Sequence, residues 1–134
     1  MEVKYLTSYG IQKTVTGAFD EVVEKVKSAL AKEGFGILTE INVKETLKKK
    51  LDVDYLNYHI LGACHPQSAY QVLLKEQEIG LLLPCNVIVY EKENGTITVS
   101  AIRPTAAMQV VKNDDIAGIA KEVEQKLEQV VAGI

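Results

Sequence analysis

Two cysteines, and the histidine beside one of them, are the residues best suited to chemistry in this sequence. Cys64 and His65 come directly before Pro66, and proline is favoured as the first residue of a helix. His65 is then the N-cap residue, and Cys64 lies beside the free amide hydrogens and the positive end of the helix, which favour a thiolate. The alternative is that Cys64 is a small buried apolar residue, as free cysteines usually are.

Cys85 can join Cys64 only if the fold brings the two segments together. Antiparallel strands would place both sulfurs near the same sheet edge, whereas a right-handed βαβ crossover would set them a strand length apart. Cys64, Cys85 and His65 would then form a Cys-His-Cys set, which resembles the ligands of catalytic zinc.

Three hypotheses follow from these residues. The first is a protein without assigned activity that binds a soft divalent metal, zinc, through Cys64, Cys85 and His65. The second is a thiol redox protein or enzyme in which Cys64 is the nucleophile and Cys85 resolves it. The third is a non-catalytic module that binds a small ligand in a pocket at the sheet edge, with both cysteines structural. His59 is a poorer candidate, because it lies an odd number of residues from Cys64 and faces the other way on a regular strand.

The elements that must position these residues are indicated by hydrophobic periodicity. Phe19, Val22, Val26 and Leu30 recur at helical spacing, and Asn42 with Glu45 forms a capping-box pattern that opens a second helix. The inner edge of that second helix is predicted to be Val43, Leu47 and Leu51. Strands are predicted over residues 3–9, 35–42, 55–63, 85–92 and 96–103, and helices over 19–33, 43–51, 66–75 and 113–132.

Asn94-Gly95 predicts a β-hairpin, because a type I′ turn requires positive φ at both central residues. This loop places Tyr90 opposite Val99, Ile88 opposite Ala101 and Val87 opposite Ile102. The predicted core face carries Ile88, Tyr90, Ile97, Val99 and Ala101. The other face carries Cys85, Val87, Val89, Glu91, Thr98, Ser100 and Ile102.

That second hairpin face is only half polar, which suggests that it is not fully exposed to water. An antiparallel sheet with helices on one side usually has a polar opposite face. We therefore expect a homodimer in which two sheets pack back to back. The alternative is that Val87, Val89 and Ile102 are scattered apolar residues on an ordinary exposed surface.

Length and charge limit the class of protein. The 134 residues fit one domain spanning 1–134, and 15 basic against 18 acidic side chains give a net charge of -3. This balance provides no general attraction for a nucleic acid. The sequence shows no signal-peptide pattern and no apolar stretch of membrane-spanning length, and two cysteines in such a chain suggest a reducing compartment. We expect a cytoplasmic α+β protein with an antiparallel-rich sheet and helices packed on one face.

The segments around the cysteines resemble a known family. Gly62-Ala63-Cys64-His65-Pro66 and Leu83-Pro84-Cys85-Asn86-Val87 are similar to the domain-of-unknown-function family numbered 302, and the order of elements agrees over nearly the whole chain. The resemblance implies a small α+β fold of TATA-box-binding-protein-like architecture, without implying a DNA function. His65 stands where members commonly have asparagine, a better N-cap residue.

Overall fold

The computed structural model describes residues 7–134, which form one five-stranded antiparallel sheet with helices packed against it. The predicted α+β class is confirmed. The strands are β1 (Gly10–Val15), β2 (Gly36–Asn42), β3 (Tyr58–Cys64), β4 (Cys85–Glu91) and β5 (Ile97–Ile102). Their order across the sheet is β1-β5-β4-β3-β2. Every neighbouring pair is antiparallel.

Two long helices cover one face of this sheet. The helices are α1 (Phe19–Lys32), α2 (Val43–Leu51), α3 (Pro66–Lys75), α4 (Pro104–Ala107) and α5 (Asp114–Ala132), with 3₁₀ turns at Gln77–Leu82 and Met108–Val111. The apolar stripes of α1 and α5 are buried against β1, β4 and β5 because helical spacing sets their apolar residues on one side. Leu30, Leu61, Val89 and Leu127 are among the fully buried side chains of this core.

Local signals in the sequence placed most helix ends correctly. Asn42 is the N-cap of α2, and its side chain accepts a hydrogen bond from the Glu45 amide at 3.0 Å. Pro66 is the first residue of α3 and His65 is its N-cap. These ends depend on neighbouring residues alone, which is why the sequence predicts them.

The predicted register of the hairpin is wrong by one residue. Lys92 pairs with Thr96, and Gly95 has φ +83°, so the loop holds three residues and ends in a glycine bulge. Val89 therefore lies opposite Val99, and Tyr90 lies opposite Thr98. Because side chains alternate along a strand, this shift turns all of β4 over.

The core face of the hairpin consequently differs from the prediction. Val87 and Val89, assigned above to the outer face, are fully buried under the helices, whereas Ile88 and Tyr90 lie on the opposite face. The residues offered as evidence for a homodimer are thus largely core residues. The homodimer itself stays a prediction.

The edges of the sheet differ from what the sequence indicated. The strand predicted over 3–9 lies mostly outside the described residues, and the first strand described is β1, which the sequence did not predict. No residue of α2 is buried, although Val43, Leu47 and Leu51 were expected to be, and Leu51 is 66% exposed. The reason is position: α2 follows the edge strand β2, and its contacts are chiefly with β2 and β3.

Within residues 7–134, no helix combines the length and the apolar character needed to cross a membrane.

Candidate functional site

An apolar cavity of about 350 Å³ lies at the end of β3 and β4, beneath α3 and α5. The strand ends provide Ala63, Cys64 and Cys85 as one wall. Helix α3 opposes them with Ser68, Ala69, Val72 and Leu73; α5 adds Ile119, Ala120 and Val123; and the remaining wall comes from Leu38, His65, Leu83, Pro84, Pro104 and Met108.

The antiparallel pairing of β3 with β4 brings the two cysteines to the same end of the sheet. Ala63 lies directly opposite Cys85, so Cys64 is one residue beyond that pair. Strand spacing puts the Cα atoms of Cys64 and Cys85 about 6 Å apart. The sequence left a parallel and an antiparallel arrangement open. The antiparallel one is observed, and all three predicted site residues, Cys64, His65 and Cys85, line this cavity.

The turn before β4 closes one end of the cavity. The Leu83–Pro84 peptide bond is cis, and both residues line the cavity beside Cys85. Pro84 also packs over Gly62 of β3, where a Cβ atom would lie 2.9 Å from Pro84 Cγ. Only glycine fits at this close approach between the strand and the turn.

Cys85 is a buried thiol. Burial, together with the nearby Cys64 thiol, raises the pKa of Cys85 to about 11. Both causes disfavour the thiolate, which is the opposite of the change that activates a cysteine for nucleophilic attack. The thiol redox hypothesis stays a prediction, and Cys85 at neutral pH is a neutral, weakly polar part of the wall.

His65 is held in one orientation by two contacts. Its Nδ1 atom lies 2.8 Å from Ser68 Oγ, and its ring packs edge-on against the Phe35 ring at 5.4 Å between centroids. Burial and the positive charge of Lys126 lower the pKa of His65, so the ring is neutral at pH 7. The sequence analysis did not include Ser68, although its position three residues after the N-cap is where a capping partner is expected.

The predicted zinc set is not assembled as a ligand cluster. In the part of the chain that the structure describes, no three His, Cys, Asp or Glu side chains are grouped so that they could hold a metal ion. His65 Nδ1 is engaged with Ser68. Zinc binding therefore stays a prediction, to be judged by metal analysis.

His59 lies outside this cavity, in a small charged network at the other end of β3. Its Nδ1 atom is 3.0 Å from Glu40 Oε2, while Lys27 Nζ is 2.7 Å from Glu40 Oε1. The hydrogen bond from Lys27, reinforced by His59, lowers the pKa of Glu40. His59 also contacts the Phe19 ring edge-on. The network links β2, β3 and α1 and holds His59 in contact with Glu40 and Phe19, away from the cavity.

The cavity wall is electrically neutral. Among the described residues that line it there is no Asp, Glu, Lys or Arg. Its polar side chains are Ser68, His65 and the two thiols, grouped at the strand ends and the start of α3. A largely apolar pocket with a few convergent polar groups is the usual form of a small-molecule site.

Comparison with known proteins identifies the family. The model of the family described as "Domain of unknown function DUF302" matches residues 11–134. The chain belongs to the DUF302 family. Among solved structures, it is similar to an uncharacterised conserved DUF302 protein from Bacillus stearothermophilus, with 29% identity and a TM-score of 0.88, over 95% of this chain and 98% of that one. No curated protein matches this chain. The resemblance drawn from the cysteine segments is confirmed, and it carries no assigned activity for this DUF302 protein.

The reactivity of Cys85 tests its burial. In a Cys64→Ser background, we expect iodoacetamide to react with Cys85 at least about 10-fold more slowly at pH 8 in the folded protein than in urea, since burial, the larger cause of the raised pKa of Cys85, remains after Cys64 is removed. The rate in the folded protein should continue to rise with pH above 9, where the rate in urea levels off. Because the pKa is raised on folding, the associated stability is present below pH 9 and is lost as the pH rises toward 11. Equal rates with and without urea would contradict a buried Cys85.

Proposed function

We propose that this DUF302 protein is a binding module for a small, uncharged, mostly apolar molecule, held in the cavity between the strand ends and helices α3 and α5. The observation that carries the proposal is the combination of volume and wall: about 350 Å³ with no charged lining residue among those described. A cavity of about 150 Å³ accepts benzene, so this one has room for a ligand of roughly twice that size.

The wall chemistry favours a neutral ligand over an ionised one. A carboxylate or ammonium group would lose its hydration inside the cavity without gaining an opposite charge, which costs several kcal/mol. His65 is neutral at pH 7, since its pKa is lowered by burial and by Lys126. Ser68 and His65 can instead share hydrogen bonds with one polar atom of the ligand, which would fix its orientation.

The cavity is lined by residues that are closely packed in the fold. The side chains of Val72 on α3 and of Ala120 and Val123 on α5 are nearly fully buried. Ala63 and Cys85 are paired between β3 and β4. A preformed site loses little conformational entropy when it binds its ligand. These features support binding without a large rearrangement of the chain.

A neutral fluorescent probe tests the proposal directly. N-phenyl-1-naphthylamine is apolar, uncharged and of suitable size, and we expect it to bind once per chain with a Kd of about 1–10 µM. The anionic probe anilinonaphthalene sulfonate should bind more weakly, because the wall offers no cation. Titration by fluorescence and by calorimetry would measure both. No binding of the neutral probe at 100 µM, or tighter binding of the anionic one, would contradict the proposed function.

A further inference from the structure

Strand β2 contains one extra residue, Leu38, beside the cavity. Ile37 pairs with Ala63 and Thr39 pairs with Gly62, which is the next residue along β3, so Leu38 is inserted between the two pairs. Two residues of one strand opposite one residue of its neighbour form a β-bulge. Because β2 is the edge strand of the described sheet, this insertion distorts the pairing with β3 alone. Bulges of this kind are common at sheet edges and change the direction of a side chain.

The bulge turns the side chain of Leu38 toward the helices. Paired residues of neighbouring strands face the same side of a sheet, so Ile37 lies on the side of Ala63, which lines the cavity. On a regular strand, the residue after Ile37 would face the opposite side. Leu38 nevertheless lines the cavity. The change of side occurs one residue later, at Thr39, whose hydroxyl lies close to Gly62. The inserted residue therefore adds a leucine to the cavity wall that regular alternation would turn away from it.

The exposure of the wall residues defines the entrance of the cavity. Among the described residues that line it, Leu38 and Leu73 are the two that are exposed, at 65% and 39% of their surface. Val72, Met108 and Ala120, in the same wall, are at most 9% exposed. One leucine from β2 and one from α3 therefore flank the entrance, and the buried residues form the floor.

We propose that Leu38 closes the entrance over the bound ligand and selects neutral molecules long enough to reach it from the floor of the cavity. This inference rests on the proposed function and defines its ligand more narrowly. A cavity of about 150 Å³ accepts benzene, whereas this one measures about 350 Å³. A one-ring molecule can therefore lie on the floor, and a molecule of about two rings extends to the entrance. Contact with such a molecule removes the exposed leucine from water, which favours the bound state.

The entrance also restricts the chemistry of the ligand. A charged or strongly polar group between Leu38 and Leu73 would lose hydration without gaining a hydrogen-bond partner. Ser68 precedes Leu73 by about 7.5 Å along the axis of α3, and with His65 it is the polar part of the wall. The ligand therefore has one polar atom, placed at Ser68 and His65, and an apolar end at the entrance.

Leu38→Ala tests the inference with two neutral probes, N-phenyl-1-naphthylamine with two ring systems and toluene with one. We expect the Kd of the larger probe to rise about fivefold, through faster dissociation in stopped-flow fluorescence. Acrylamide should quench the bound probe more strongly, because the wider entrance admits the quencher. The Kd of toluene, measured by competition with the larger probe, should change less than twofold. Leu38→Met keeps a long apolar side chain and should restore the properties of the unsubstituted protein.

Leu51→Ala is the matched control. Leu51 is 66% exposed, nearly the same as Leu38, but it lies on α2 and does not line the cavity, so both Kd values should remain unchanged. Urea denaturation of each variant would verify that it is folded. An unchanged Kd of the larger probe in Leu38→Ala, or an equal loss for both probes, would overturn the inference and leave the proposed function standing. Failure of both probes to bind the unsubstituted protein would overturn the two together.

Discussion

Ala69→Phe is expected to weaken binding of N-phenyl-1-naphthylamine about 30-fold, which corresponds to about 2 kcal/mol. Ala69 lies on the side of α3 that lines the cavity. A benzene-sized group needs about 150 Å³, so the added ring would take roughly two-fifths of the available 350 Å³. The ring would also cover the approach to Ser68, the nearest hydroxyl in the wall.

The control for this substitution is Gln71→Phe. Gln71 is on the same helix, is exposed and does not line the cavity, so the variant adds the same ring to the outer side of α3. Its affinity for the probe should match that of the unsubstituted protein. If both variants bind the probe equally well, the probe occupies another surface, and the groove lined by Tyr9, Tyr55, Tyr58 and Tyr90 would be the first to examine. Stability measured by urea denaturation separates a lost site from an unfolded one.

Gly62→Val is expected to reduce the free energy of unfolding by about 3 kcal/mol, and the Tm by about 10 °C. A Cβ atom at this position would lie 2.9 Å from Pro84 Cγ and closer still to Thr39 Oγ1. The threonine hydroxyl can rotate away, but the proline ring belongs to the turn that closes the cavity. Relief of the clash therefore requires β3 and that turn to separate.

Two further variants show whether this close contact is the cause. Gly36→Val introduces the same side chain in the neighbouring strand β2, where no atom lies within 4 Å of the added Cβ, and it should change stability by less than about 0.5 kcal/mol. Thr39→Ala combined with Gly62→Val should recover part of the loss, because one of the two contacts is removed. Equal effects of the two valine substitutions would show that backbone preference, and not the contact with Pro84, decides the result.

The sequence predicted the helices that have strong local signals. The apolar spacing from Phe19 to Leu30 gives α1, and Asn42 and Pro66 mark the starts of α2 and α3. Each of these depends on residues within a few positions of one another, so the chain carries the information locally. The two cysteine segments also identified the DUF302 family, and the family model confirms it.

The side of the sheet that each strand residue faces, and the strands that lie at the sheet edges, were less predictable, because both depend on distant parts of the chain. A single extra residue in the loop at Gly95 reversed the sides of β4, although both strands had been recognised. Val87 and Val89 could not be assigned to the core from alternation alone, since Ile88 and Tyr90 fit the same period equally well. The exposure of Leu51 follows from the position of β2 at the sheet edge, which no local pattern specifies.

The sequence by itself determined the α+β class, the helix starts and the residues that deserved attention, Cys64, His65 and Cys85. Only the tertiary structure decided that Cys64 and Cys85 face one cavity, that this cavity is uncharged, and that Ser68 and Met108 belong to it. The physical reason is that a pocket is made by elements far apart along the chain, here β3, β4, α3 and α5. Its shape and its electrostatics are set by how those elements pack, which nearest-neighbour preferences do not encode.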